Sequence, residues 1–139
     1  MFNHWKRKHE EKKAMDEAVA QSRYWRTHPK LQACLQAMRG SCTLASPELH
    51  EAAIAAVNIA FREGTWTCAT QFPGDFLSQT IYLVWDDEQI PVLKAPRDLV
   101  VENLSTVTAV SEKTFLVSEA MDRIIWFDDH NQIKLYSIA

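Results

Sequence analysis

The sequence predicts an α+β protein in which three N-terminal helices precede an antiparallel β-sheet of about five to seven strands, with the helices packed on one face. Two observations lead to this class. Up to Gly64, apolar residues recur every three or four positions, as on one face of a helix, and from Thr65 onward they alternate with polar residues, as in strands. The 139 residues suffice for one core. We therefore expect one domain, with a helical part over residues 1–64 and a sheet over residues 65–139.

Residues 46–64 carry the clearest helix signal in the chain. Ser46 is a favourable N-cap, Pro47 is tolerated at the first helical position, and Gly64 can adopt the left-handed conformation that ends a helix. Between these caps an apolar face recurs at helical spacing, made of Leu49, Ala53, Ala56, Val57, Ala60 and Phe61. We expect this central helix to cover the sheet and to bury Phe61 in the core.

Two further helices are predicted before the central one. The first runs from about Asn3 to Tyr24, with a narrow apolar stripe and a basic beginning. The second has Thr27 or His28 as its N-cap, places Pro29 near its start and ends before Gly40. Residues 41–45 are expected to be a short connection.

The alternating half of the sequence predicts the strands of the sheet. They are expected at residues 65–72, 80–85, 90–94, 124–127 and 132–138, with a hairpin formed by residues 106–110 and 114–118. Residues 99–104 fit a strand or a helical turn equally well. Pro91 suggests that its strand lies at an edge or begins irregularly.

Two acidic turns share one sequence pattern, in which an apolar strand ends in an aromatic residue and is followed by two aspartates. The first contains Asp86, Asp87 and Glu88 after Trp85, and the second contains Asp128 and Asp129 after Trp126 and Phe127. Aspartate is common in turns because its carboxylate bonds back to the backbone, so the repetition is explained by turn chemistry alone. The functional alternative is that both turns lie at the same end of the sheet and form a negative surface.

The sequence argues against several classes of function. It contains no glycine-rich phosphate loop, no G-x-S-x-G motif and no catalytic Cys–His spacing, and its five histidines are scattered. We therefore expect no catalytic residues, no cofactor and no metal site. The three cysteines are odd in number, so we expect buried free thiols in a reducing compartment.

Membrane insertion and secretion are also not expected. No stretch approaches the roughly 18 apolar residues of a membrane span, and the basic N-terminus lacks an apolar secretory segment. We therefore expect a cytoplasmic protein with no membrane partner. The formal charge is +3 through Gly64 and −6 from Thr65 onward, which directs attention to the acidic, strand-rich half.

These observations predict a non-enzymatic binding protein that contacts a basic protein partner. In size, acidity, class and lack of catalytic groups, the chain is similar in type to bacterial immunity proteins that neutralise secreted toxins, and also to secretion chaperones. The similarity implies an inhibitor of a toxin such as a nuclease. The residues expected to contact the partner are Trp85, Asp86, Asp87, Glu88, Trp126, Asp128 and Asp129.

Two other functions fit the same sequence. A small enzyme would draw on His50, His130 and nearby carboxylates, and a pocket that joins a histidine to a carboxylate would favour it. A nucleic-acid or membrane-surface module would use the basic residues between Lys6 and Lys13, although nucleic acid is not the partner that the acidic half favours. The sequence does not indicate an oligomeric state.

Overall fold

The computed structural model describes residues 28–87, 90–128, 130 and 132–137. Within these residues the helices are α1 (Pro29–Ala37), α2 (Pro47–Glu63), α3 (Arg97–Glu102) and α4 (Leu104–Thr108), with a 3₁₀-helix at Gly74–Phe76. The strands are β1 (Thr43–Leu44), β2 (Thr67–Ala69), β3 (Thr80–Trp85), β4 (Leu93–Pro96), β5 (Thr114–Ser118), β6 (Arg123–Phe127) and β7 (Ile133–Ser137).

The seven strands form one sheet in the order β1-β4-β3-β5-β6-β7-β2, and every neighbouring pair is antiparallel. The predicted α+β class and antiparallel sheet are therefore confirmed. The predicted helix at about residues 3–24 lies outside the described residues.

The central helix α2 has the predicted ends. The Ser46 hydroxyl accepts a hydrogen bond from the Leu49 backbone N–H at 3.3 Å. At the other end, Gly64 adopts φ 67° and donates its N–H to Ala60 O. A side chain at Gly64 would be strained in this left-handed conformation. Helix α1 has the second of its two predicted caps, because His28 Nδ1 accepts from the Leu31 N–H at 3.2 Å.

Helix α2 connects the two edge strands of the sheet, because it follows β1 and precedes β2. Its 17 residues span about 25 Å, and the six spacings of about 4.8 Å between seven strands add up to about 29 Å. The helix therefore lies across the sheet from one edge to the other. Ala53, Ala56 and Ala60 are buried on the side of α2 that faces the sheet, and their small side chains allow the helix to approach the sheet closely.

Helices cover both faces of the sheet, so the prediction that they share one face is wrong. Helix α2 packs with the even-numbered residues of β3, Tyr82 and Val84. Helices α1, α3 and α4 pack with the odd-numbered ones, which include Leu83. The physical reason is that β3 and β5 are nearly continuous apolar runs, as is typical of strands buried on both faces.

Several predicted boundaries also change. Residues 106–110 are not a strand, because α4 occupies Leu104–Thr108 and residues 99–104 belong mostly to α3. In α4 the Thr108 hydroxyl donates to Leu104 O at 2.9 Å, and Val107 is fully buried. Tertiary packing thus overrides the strand preference of these β-branched residues.

The remaining differences are smaller. The predicted strand at residues 90–94 is shifted to Leu93–Pro96, the one at residues 65–72 shortens to Thr67–Ala69, and residues 41–45 contain β1. Strands β3 and β5 have the predicted bounds.

The cysteines are only partly as expected. Cys34 and Cys42 are buried free thiols. Burial raises the pKa of Cys34 to about 11, and burial with the nearby Cys34 raises the pKa of Cys42 to about 12. Cys68 is exposed at the edge strand β2, so its predicted burial is wrong.

Enlarging an alanine on the sheet-facing side of α2 tests the close approach of helix and sheet. In Ala53→Leu the added carbons have no space, because Ala53 is fully buried, and we expect a loss of about 1–3 kcal/mol in the free energy of unfolding. In the control Ala52→Leu, on the exposed side of the same helix, we expect a change within about 0.5 kcal/mol. Urea unfolding measures both, and equal stability of the two variants would contradict the packing described here.

Candidate functional site

The two acidic turns lie at the same end of the sheet. Trp85, the last residue of β3, pairs with Thr114 of β5, which pairs with Phe127, the last residue of β6. The first turn follows Trp85 and the second follows Phe127, so both leave the sheet at the same level. We call this the acidic end, defined by Asp86, Asp87 and Asp128.

Asp86 is the exposed carboxylate of the first turn. Its side chain is 61% exposed, and Oδ2 lies 4.0 Å from Lys113 Nζ. Its backbone N–H donates to Lys113 O at 3.1 Å, which continues the β3–β5 ladder by one residue. Asp87 is half-buried, and Glu88 lies outside the described residues. Because the ion pair of Asp86 is long and in contact with water, it holds this carboxylate only weakly.

Asp128 plays a different part in the second turn. It is only 6% exposed, and its Oδ1 accepts the backbone N–H groups of His130 and Gln132, both at 2.9 Å. Its Oδ2 lies 3.3 Å from Lys134 Nζ. Asp128 therefore shapes the turn from inside, as the turn-chemistry explanation predicts. Asp129 lies outside the described residues.

These partners determine the charge of Asp128. Burial alone would raise the pKa of its carboxyl, but the N–H groups of Gln132 and His130 and the Lys134 ammonium outweigh that effect. The pKa of Asp128 therefore lies below its usual value, and the carboxylate is ionised.

The two tryptophans expected at the partner surface also differ. Trp85 is 4% exposed, and its indole Nε1 donates to Val107 O at 3.0 Å, which ties β3 to α4. Trp126 is half-buried on the α2 side of the sheet, with Lys134 Nζ at 4.5 Å from the centre of its ring. The burial of Trp85 argues against its use as an exposed anchor, whereas Trp126 borders the surface.

Trp126 belongs to an aromatic cluster at the C-terminal end of α2. The cluster consists of Phe61, Trp66, Phe115, Trp126 and Tyr136, with ring centroids 4.9–6.0 Å apart. Phe61 contacts three of the other rings yet remains 40% exposed. The expectation that it is a buried core residue is therefore wrong. It lies over the rings of the sheet and leaves one side open to solvent.

A pocket of about 220 Å³ opens between α2 and the acidic end. We call it the α2 pocket. One wall comes from α2, where five lining residues follow helical spacing: His50, Ile54, Val57, Asn58 and Phe61. The sheet and its turns supply the remaining wall, which consists of Val84, Trp85, Asp86, Asp87, Ile90, Val92, Lys113 and Phe115.

The α2 pocket combines apolar walls with charged groups. Val57, Val84 and Phe115 are buried apolar residues, while Asp86, Asp87 and Lys113 bring two carboxylates and one ammonium. His50 is only 3% exposed and lines the same pocket. Asp86, Asp87 and His50 thus line one pocket, although the sequence suggested no link between His50 and the acidic turns.

One sequence pattern could have indicated this pocket. His50, Ile54, Asn58 and Phe61 form a stripe beside the alanine face of α2, and the stripe mixes polar and large apolar residues. Such a stripe is typical of a helix flank that borders a cleft rather than the core. The position of the opposite wall depends on strand order, which the sequence does not reveal.

Comparison with known families gives a match over the sheet. Residues 69–136 match the family model described as CdiI immunity protein EcoliA0-like. The match covers slightly less than half of the chain, from the last residue of β2 into β7. It includes both acidic turns, and it supports an immunity-type protein with a protein partner.

Comparison with curated proteins finds no match. Among the described residues, no helix is both long and apolar enough to span a membrane.

Removing the Asp128 carboxylate tests its structural role. In Asp128→Asn we expect the free energy of unfolding at pH 7 to fall by about 1–3 kcal/mol, because the acceptor of the two N–H groups loses its charge and Lys134 loses its ion-pair partner. The native pKa lies below the unfolded value of about 3.9. The stabilisation is therefore present above that pH and disappears as the pH falls through the native pKa.

Chemical denaturation of wild type and Asp128→Asn between pH 7 and pH 2 measures this difference. The exposed Asp75→Asn serves as the control, for which we expect little change at any pH. A difference between wild type and Asp128→Asn that does not shrink in acid would contradict the assignment.

Proposed function

We propose that this chain is an immunity-type protein that binds a toxin and neutralises it by occupying its functional surface. The match of residues 69–136 to an immunity-protein family carries this proposal. The matched residues form the sheet from β3 into β7 and both acidic turns, so the family resemblance and the candidate surface coincide. The protein would act as an inhibitor and not as a catalyst.

The proposed contact surface is the acidic end together with the rim of the aromatic cluster. Asp86, Asp87 and Trp126 are its described members, and Glu88 and Asp129 are assigned to it from their turn positions alone. Trp85 and Asp128 support the surface from beneath, because both are buried. Trp126 would supply the kind of large, partly desolvated contact that is enriched at binding hot spots.

The charge of this surface favours a basic partner. Lys113 and Lys134 offset part of the acidic charge, but Asp86 and Asp87 remain close together at the pocket. A nuclease toxin needs cationic groups to hold phosphates, so an acidic surface is complementary to it and would accelerate association. We therefore propose a nuclease as the toxin. The free thiols of Cys34, Cys42 and Cys68 fit neutralisation in the reducing cytoplasm.

Charge reversal at the first turn tests this proposal. The toxin is identified by pull-down from the native host with the wild-type protein and then purified, and its Kd is measured for wild type and for the double variant Asp86→Lys, Asp87→Lys. We expect about tenfold weaker binding or more, with slower association that depends on salt. The matched control is Asp75→Lys, Glu102→Lys, two exposed carboxylates on elements of the α1 side of the sheet.

Growth of cells that express the toxin provides the second readout. We expect wild type and the control pair to protect the cells and the Asp86, Asp87 pair to lose protection. Equal affinity of all three proteins for the toxin would overturn the assignment of Asp86 and Asp87 to the contact surface. Failure of the wild-type protein to bind or protect would overturn the proposed function.

One observation favours a second candidate function, a small enzyme. His50, Asp86 and Asp87 line the same pocket, and a histidine and a carboxylate that share a pocket are candidates for acid–base chemistry. Stoichiometry separates the two functions. An inhibitor abolishes toxin activity only near a one-to-one ratio, whereas an enzyme that inactivates the toxin does so well below it.

A further inference from the structure

The α2 pocket has the volume of a site for one side chain. Its volume of about 220 Å³ exceeds the roughly 150 Å³ cavity that holds a benzene molecule. One wall is the α2 stripe from His50 to Phe61, and the other is the end of β3 with its turn. The pocket is therefore too small for a segment of chain and large enough for one long or aromatic side chain.

The lining of the pocket changes from buried apolar side chains in its walls to exposed charged side chains at the rim. Val57, Val84 and Phe115 are buried and offer apolar contact. Asp86 and Lys113 are more accessible, with 61% and 37% of their side chains exposed. The pocket therefore has a charged rim beside the turn after β3 and apolar walls next to that rim. Such a gradient suits a side chain that is partly apolar and carries a charge.

The sign of the rim selects a cation. Asp86 and Asp87 contribute two negative charges and Lys113 one positive charge, so the described rim is negative overall. At 4.0 Å, the contact between Lys113 Nζ and Asp86 Oδ2 is too long for a strong hydrogen bond. A cation with better geometry can replace it, and Lys113 can turn to solvent.

Among cations, the site favours a guanidinium over an ammonium. A guanidinium is less strongly hydrated, binds a carboxylate with two parallel N–H bonds and stacks on aromatic faces. The ring of Phe61 borders the pocket and is 40% exposed, so it provides such a face. The apolar stem of the arginine would lie along the α2 wall, against Ile54 and Val57, so that the guanidinium stays at the charged rim.

We propose that the α2 pocket receives a single arginine side chain of the protein partner, with its guanidinium between Asp86 and the ring of Phe61. This inference rests on the proposed function in one respect, because it takes a protein partner as given. It adds the chemistry of the group that the partner inserts and the place where that group is held.

A peptide titration tests the pocket without any toxin. The probes are acetyl-Gly-X-Gly-amide peptides in which X is arginine, citrulline, lysine or tryptophan, and binding is followed by the backbone amide NMR signals of Asn58, Val84 and Lys113. Citrulline has nearly the shape of arginine without its charge. We expect the arginine peptide to bind about fivefold tighter or more than the citrulline peptide, and tighter than the other two.

Two variants localise the binding. Asn58→Trp fills the mouth of the pocket from an exposed position of α2, and Asp86→Asn removes the carboxylate; we expect each to weaken the arginine peptide about fivefold or more. The matched controls are Ala52→Trp, on the other flank of the same helix, and Asp75→Asn, on the far side of the sheet. We expect both to bind as wild type does. Thermal unfolding verifies that all four are folded.

Three results would overturn the inference: equal binding of the arginine and citrulline peptides, a preference for tryptophan, or signal changes outside the pocket. Any of these would leave the proposed function intact if the protein still binds and neutralises the toxin. Conversely, selective arginine binding by a protein that does not protect against the toxin would overturn the proposed function alone.

Discussion

The close packing of α2 on the sheet is the contact on which the candidate surface depends. Ala53, Ala56 and Ala60 let the helix lie low across the strands, and its two ends are joined to the edge strands β1 and β2. This arrangement fixes the flank that carries His50 and Phe61 at the acidic end. The helix covers the middle of the sheet and leaves the end of β3 open, so the α2 pocket follows from the crossing geometry.

The two acidic turns show how one sequence pattern acquires two roles. The carboxylate of Asp128 accepts the backbone N–H groups of His130 and Gln132, both at 2.9 Å, and forms an ion pair with Lys134. Its charge therefore stabilises the turn. Asp86 occupies the equivalent position after β3, and its ion-pair partner within the described part of the chain is Lys113, at 4.0 Å. Its carboxylate therefore remains accessible to another molecule. Two partners of Asp128, His130 and Gln132, come before β7 in its own turn, and the third, Lys134, lies on β7. The shared pattern of two aspartates after an aromatic residue therefore does not decide which carboxylate is held.

Local chemistry in the sequence was sufficient for the elements that are stabilised locally. The caps at Ser46 and Gly64 fixed the ends of α2, and the alternation of residues 80–85 and 114–118 fixed β3 and β5. The predictions that were wrong concern features that depend on contacts between residues far apart in the sequence. Residues 104–108 are helical because Val107 packs in the core and its carbonyl accepts the Trp85 indole. The exposure of Phe61 and the existence of the pocket depend on strand order, which no local pattern encodes.

The central claim is that the acidic end and the adjoining flank of α2 form the surface that meets the partner. Hydrogen exchange of the protein alone and in complex with the toxin tests it most directly. The account predicts slower exchange in the complex for the amides of the turn after β3, for Asn58 to Arg62 at the end of α2, and for Trp126 to Asp128. Protection confined to α1, α3 and α4 on the opposite face of the sheet would contradict it.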